Sequence, residues 1–185
     1  MRLGVFIVFL VIAIVLDTRF MEALRIGPVV PSIAGTLAVY LVLSAPRQSA
    51  LWACLAIGLL LDFSEQAMFD GLYPYHLIGP YTLGFLFGAN LILPMRAMVF
   101  SRNPLTFGLL TFFFLLGVTI VFLALWQLRS FYEGSPPPWG GHGVFSEFGT
   151  RLLWAFYSGL IAIPVGWLLI RSAPIWGFAT GTVRR

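Results

Sequence analysis

Residues 105–128 read LTFGLLTFFFLLGVTIVFLALWQL, a run without one charged side chain. Wound as a helix at about 1.5 Å per residue, it would be about 36 Å long, enough to cross a hydrocarbon core of about 30 Å. Such a helix is apolar on every side, so it must be surrounded by lipid or by other helices. The rest of the chain repeats the pattern. Of 185 residues, 59% are hydrophobic and 10% are charged, whereas a soluble domain is about a quarter charged. Mean hydropathy is +0.94. Too few charges remain to cover a water-facing surface, and the composition excludes an ordinary soluble enzyme.

Working outward with a ruler of about 20 apolar residues per crossing, the sequence predicts an all-α membrane protein, a single-domain bundle of six transmembrane helices. The expected spans are 2–21, 29–45, 47–66, 74–93, 105–128 and 151–170, with an outer loop over 129–150. Pro28 and Pro31 suit the start of the second span. The third is the shortest apolar stretch, since Asp62 follows only twelve residues after Ala50. It is read either as a short crossing or, with the fourth, as a re-entrant hairpin. The first run, 3–16, has the length of a signal-peptide core, but Asp17-Thr18-Arg19 follows it in place of a small-residue cleavage site. It is therefore read as a retained helix. Pro136-Pro137-Pro138-Trp139-Gly140-Gly141 marks the long loop as extended backbone followed by a turn.

All eleven basic residues are Arg, and the net charge is +4. They lie scattered between apolar runs and form no patch, which argues against nucleic acid as a partner and for charges that set topology. With the N-terminus inside and six crossings, the inner segments hold Arg2, Arg47, Arg96, Arg102, Arg171, Arg184 and Arg185. The outer segments hold Arg19, Arg25, Arg129 and Arg151 together with all seven acidic residues. The excess of Arg inside predicts that both termini are cytoplasmic.

The candidate sites are few. Asp62, Glu65, Gln66, Asp70 and His76 cluster between the third and fourth spans, with Asp62 and Glu65 on one helix face. A solvated loop, a partner contact and a metal-binding carboxylate pair all fit that cluster, although no second His or Cys completes a ligand set. His142 is isolated in a Gly-rich loop, and Cys54, the only cysteine, reads as a small apolar residue in a helix interface. Gly84 and Gly88 form a GxxxG, a spacing that lets helix backbones approach closely. No charge falls in the middle of a span, which counts against a proton relay or ion-coupled carrier. No serine elbow, HExxH, phosphate loop or dinucleotide fingerprint occurs. The expectation is no catalytic residue, no metal and no cofactor.

Two stretches are more specific. The first is Val30-Pro31-Ser32-Ile33, an apolar helix, an Arg-bearing turn, and then Ala56-Ile57-Gly58-Leu59-Leu60-Leu61-Asp62. The second is Gly71-Leu72-Tyr73-Pro74-Tyr75-His76 followed by Ile78-Gly79-Pro80-Tyr81-Thr82-Leu83-Gly84-Phe85-Leu86-Phe87-Gly88. Together they resemble the rod shape-determining membrane protein MreD family over about 28–91. The resemblance implies a non-enzymatic, multi-pass component of the bacterial inner-membrane cell-elongation complex. Such a component binds MreC, works alongside MreB and RodA-type machinery, and helps organise lateral peptidoglycan synthesis. Matched to the family motif are Gly58, Asp62, Gly71, Gly84 and Gly88, expected to serve helix packing and, at Asp62, a polar partner contact at the outer end of a span. The proline-rich loop and the acidic 65–70 stretch depart from the family pattern. The competing expectation is the substrate-binding membrane subunit of an energy-coupling-factor vitamin transporter. That architecture is similar, but the small-xxx-small docking pair expected on its first helix is missing here.

Overall fold

The structure, a computed structural model, describes residues 2–64, 67–69, 73–75, 77–97, 103–131, 139 and 143–177. Six α-helices stand among them: α1 Leu3–Val15, α2 Ile33–Ser44, α3 Arg47–Ser64, α4 Pro80–Ile92, α5 Pro104–Arg129 and α6 Val144–Arg171. A π turn, Leu16–Phe20, and a 3-10 turn, Met21–Leu24, prolong α1. Three helical stretches are long and apolar enough to cross a membrane: Leu3–Leu24, Pro104–Arg129 and Val144–Arg171. Two three-residue strands, β1 Ala67–Phe69 and β2 Tyr73–Tyr75, pair antiparallel with Ala67 opposite Tyr75.

Residues that face one another fix the helix directions. Gly58 of α3 lies on Thr82 of α4, while Asp62, one turn later in α3, meets Gly79, so the two helices are antiparallel. Gly84 and Gly88 of α4 face Val118 and Phe114 of α5 in reversed order. Gly108 and Phe122 of α5 face Gly159 and Arg151 of α6 in the same reversed sense. Asp17, after α1, meets Ala34 at the start of α2, whereas Phe9 and the late α2 residue Tyr40 share Trp176. One end of the bundle therefore gathers Asp17, Asp62, Glu147 and Arg151. The other gathers Arg2, Arg96 and Trp176, where Arg2 N donates to Trp176 O and Arg96 donates to Ala45 O just past α2. A cation on the last carbonyls of α2 is the favourable sign at a helix C-terminus.

The centre of the bundle is α2. Its twelve residues span about 18 Å, and every one from Ile33 to Leu43 is buried. It touches α1, α3, α4, α5 and α6. Its length is well short of a bilayer core of about 30 Å, and the surrounding helices shield α2 from lipid. The converse holds for α1, whose Leu3, Ile7, Val8, Val11, Ile12 and Val15 are all exposed. That face needs an apolar solvent.

Three helix starts differ from the expected spans; over 29–45 the helix begins only at Ile33, capped by Ser32. Over 74–93 the helix begins only at Pro80, because Tyr73–Tyr75 is committed to the hairpin and Gly79, at φ 135°, turns the chain into the helix. Over 151–170 it begins at Val144, because Glu147 and Arg151 pair one turn apart and carry charge along the helix's first turns. Of the expected 129–150 loop, 132–138 and 140–142 lie outside the described residues, Arg129 closes α5 and 144–150 belong to α6; Trp139, within it, is buried.

Candidate functional site

A helix starts with N–H groups that have no partner in the preceding turn. In a bundle that faces lipid, each such group left bare costs several kcal/mol. Here two buried helix starts are satisfied by carboxylates from elsewhere in the chain. Asp62, at the end of α3 and 2% exposed, accepts hydrogen bonds from Gly79 N at 2.9 Å, Tyr81 N at 2.8 Å, Thr82 N at 3.0 Å and Thr82 Oγ1 at 2.6 Å. These residues open α4. Asp17, in the turn after α1, accepts from Ile33 N, from Ala34 N at 3.0 Å and from Ser32 Oγ at 3.1 Å. These residues open α2. Each carboxylate also meets the positive end of a helix dipole, the favourable sign.

Ser32 ties this cap into the bundle. Its Oγ also accepts from Gly35 N at 3.2 Å, and its N–H donates to Ser158 Oγ of α6 at 3.0 Å. The start of α2 is thereby held by α1, α6 and its own N-cap. The hairpins α1–α2 and α3–α4 thus share one device, a late acidic residue of the first helix capping the second. In both, the aspartate and a capped amide are seventeen residues apart, Asp17 with Ala34 and Asp62 with Gly79. The sequence shows no matching repeat, because only the carboxylate and the bare amides have to recur.

The glycines sit where backbones meet. A methyl group on Gly58 would lie 2.6 Å from Thr82 Cα and 2.8 Å from Tyr81 O, closer than atoms can approach. On Gly84 it would lie 3.0 Å from Val118 Cγ1, and on Gly88 2.9 Å from the Phe114 ring. Gly58 and Asp62 therefore lie in the α3–α4 interface, and Gly84 and Gly88 in the α4–α5 interface. Gly71 lies outside the described residues, as do Glu65, Gln66, Asp70, His76 and His142. Asp62 is not displayed at the surface; its hydrogen bonds among the described residues go to its own chain.

Beside these caps a cavity of about 310 Å3 opens between the π turn after α1, the 28–32 segment before α2, and the helices α3, α4 and α6. Asp17, Ser32, Tyr81, Glu147, Arg151 and Trp154 contribute to its lining. Arg151 is held on three sides. Its Nε donates to Glu147 Oε1 at 2.7 Å, Nη1 donates to Tyr81 Oη at 3.2 Å, and its guanidinium lies 3.6 Å from the centre of the Phe122 ring. No group of three or more His, Cys, Asp or Glu able to hold a metal occurs among the described residues. Cys54 is a buried free thiol.

Sequence reasoning missed Asp17 and Arg151 as parts of a site and took both for charges at the ends of spans. The only local signal was Ser32, a good N-cap residue behind Pro31. Fold and site together define a helical bundle with three membrane-length apolar helices, two carboxylate-capped inner helices and, at its acidic end, a cavity lined by both charged and apolar side chains. Comparison of the chain with protein-family models, curated proteins and solved structures found no match.

Proposed function

We propose that the chain is a non-enzymatic scaffold of the bacterial cytoplasmic membrane of the MreD kind. In this reading it crosses six times with both termini cytoplasmic, binds MreC, and with MreB and RodA-type machinery helps organise lateral peptidoglycan synthesis. The observation that carries the proposal is the meeting of the two halves of the sequence motif. Gly58 rests on the Tyr81–Thr82 backbone and Asp62 caps the helix that Gly79 and Pro80 open. Of the residues behind the resemblance, Gly58 and Asp62 lie in the α3–α4 interface and Gly84 and Gly88 in the α4–α5 interface, where they hold three helices together. That supports a rigid frame presenting its outer helices to a partner.

Six crossings are supported by the reversed order of facing residues in successive helices. They are also supported by the separation of Arg2 and Arg96 at one end from Asp17, Asp62 and Glu147 at the other. Affinity purification of the tagged chain from its native membrane in mild detergent, with mass spectrometry of what is retained, tests the reading. Recovery of MreC supports it. Recovery of paired ATPase subunits refutes it and favours the second reading, a substrate-binding subunit of an energy-coupling-factor transporter. The cavity of about 310 Å3 at the acidic end supports that second reading.

A further inference from the structure

We infer that the cavity at the acidic end of the bundle is a binding site for an ammonium group carried on an apolar body. Its volume of about 310 Å3 lies at the lower edge of the range for small-molecule pockets, about 300–1,000 Å3. Its wall combines Asp17 of the π turn, the 28–32 segment that leads into α2, and residues of α3, α4 and α6, so elements distant in sequence set its shape together.

The charges decide the class of ligand. Asp17 and Glu147 contribute two carboxylates and Arg151 one guanidinium. Arg151 is anchored on Glu147, Tyr81 and Phe122, so its charge is offset where it stands. Asp17 faces the start of α2, whose dipole offsets about half a charge. The lining is therefore left net negative, and an anion entering it would meet two carboxylates. Glu147 gives Oε1 to Arg151, and its Oε2 has no hydrogen-bond partner among the described residues. With its side chain 22% exposed, it is placed to accept from an ammonium N–H. The rest of the wall is mostly apolar, with Pro28, Val29, Val30, Pro31, Leu61 and Trp154 beside the hydroxyl residues Ser32, Ser64 and Thr150. An indole face attracts a cation through its quadrupole, and the aliphatic wall takes the apolar body.

The ammonium can come from a free amine or from an aminophospholipid headgroup, and the test separates the two. The full chain is placed in nanodiscs of phosphatidylglycerol, which has no amine. It is titrated calorimetrically with phenethylamine, benzyltrimethylammonium and the anion 3-phenylpropionate. The expected result is saturable binding of the amines with the anion weaker by about tenfold or more, equivalent to about 1.4 kcal/mol. Glu147→Gln and Trp154→Leu should each weaken amine binding by a similar factor, while Ile12→Ala on the lipid face should not. If the lipid is the source, phosphatidylethanolamine in the nanodisc raises the thermal midpoint and displaces phenethylamine, and Glu147→Gln abolishes both effects. The comparison of amine with anion on the unaltered chain decides the matter even if a variant fails to fold. Equal binding of the anion, no saturable binding of either amine source, or full binding by both site variants would overturn the inference. Amine binding and MreC recovery are separate readouts, so this site and the scaffold reading fail independently.

Discussion

Replacing Asp62 with alanine removes the acceptor for three backbone N–H groups and one hydroxyl at the buried start of α4. Loss of an ordinary helix cap costs about 0.5–2 kcal/mol. Each buried donor left without a partner adds about 1–3 kcal/mol. Simple addition overshoots, because the variant no longer has to desolvate a carboxylate, and the first turn of α4 can fray toward the cavity and recover some hydrogen bonds to water. We expect a net loss of about 3–5 kcal/mol, the range for breaking one side of a buried charged network. Asp62→Asn keeps one acceptor but turns an NH2 group toward donors, and should lose about 2–3 kcal/mol. Thr82→Val removes only the hydroxyl donor and should lose about 1 kcal/mol. The assay is equilibrium unfolding in mixed detergent micelles by SDS titration, followed by helical circular dichroism. The expected order of loss is Asp62→Ala, then Asp62→Asn, then Thr82→Val. In the double variant Asp62→Ala with Thr82→Val the two losses should not add, since both remove the same bond. An Asp62→Ala chain within about 0.5 kcal/mol of the unaltered one, the scatter of ordinary surface changes, would refute the capping argument. It would return Asp62 to the role of a partner contact.

Other expectations follow from the same geometry. Gly58→Ala should cost about 2–3 kcal/mol in the same titration, because its methyl group meets the α4 backbone at 2.6 Å. Gly4→Ala, with nothing within 4 Å, should be within about 0.5 kcal/mol of neutral. Asp17→Asn should loosen the start of α2 by about 2 kcal/mol, read as faster hydrogen exchange at Ile33 and Ala34 than at late α2 residues such as Leu41. Arg151→Lys should fail to restore the stability lost in Arg151→Ala, because an ammonium cannot hold Glu147 and Tyr81 while lying flat on Phe122. In a Cys54→Ser background, single cysteines at Gly4 and Gly143 should be labelled from opposite sides of the membrane; labelling from the same side contradicts an even alternation of crossings.

Much of this was legible in the chain itself. Apolar runs such as 105–128, the scarcity of charge, and the scatter of Arg follow from transfer free energies summed along a local window. They determine a helical chain that belongs in lipid, and the close approach allowed by Gly84 and Gly88 is visible in their spacing. The lengths of the inner helices were not legible, because hydropathy cannot distinguish a residue shielded by neighbouring helices from one touching lipid. So α2, at twelve residues, and α4, starting at Pro80, came out shorter than their expected spans. Only the tertiary structure decided the fate of the charges. Asp17 and Asp62 look like end-of-span residues in sequence, yet each is drawn inward by amides sixteen to twenty residues away. A bare helix start inside a bundle has no water to satisfy it, so the fold brings an acceptor from the neighbouring helix. That requirement arises only once the helices are packed, and no local window of the sequence contains it.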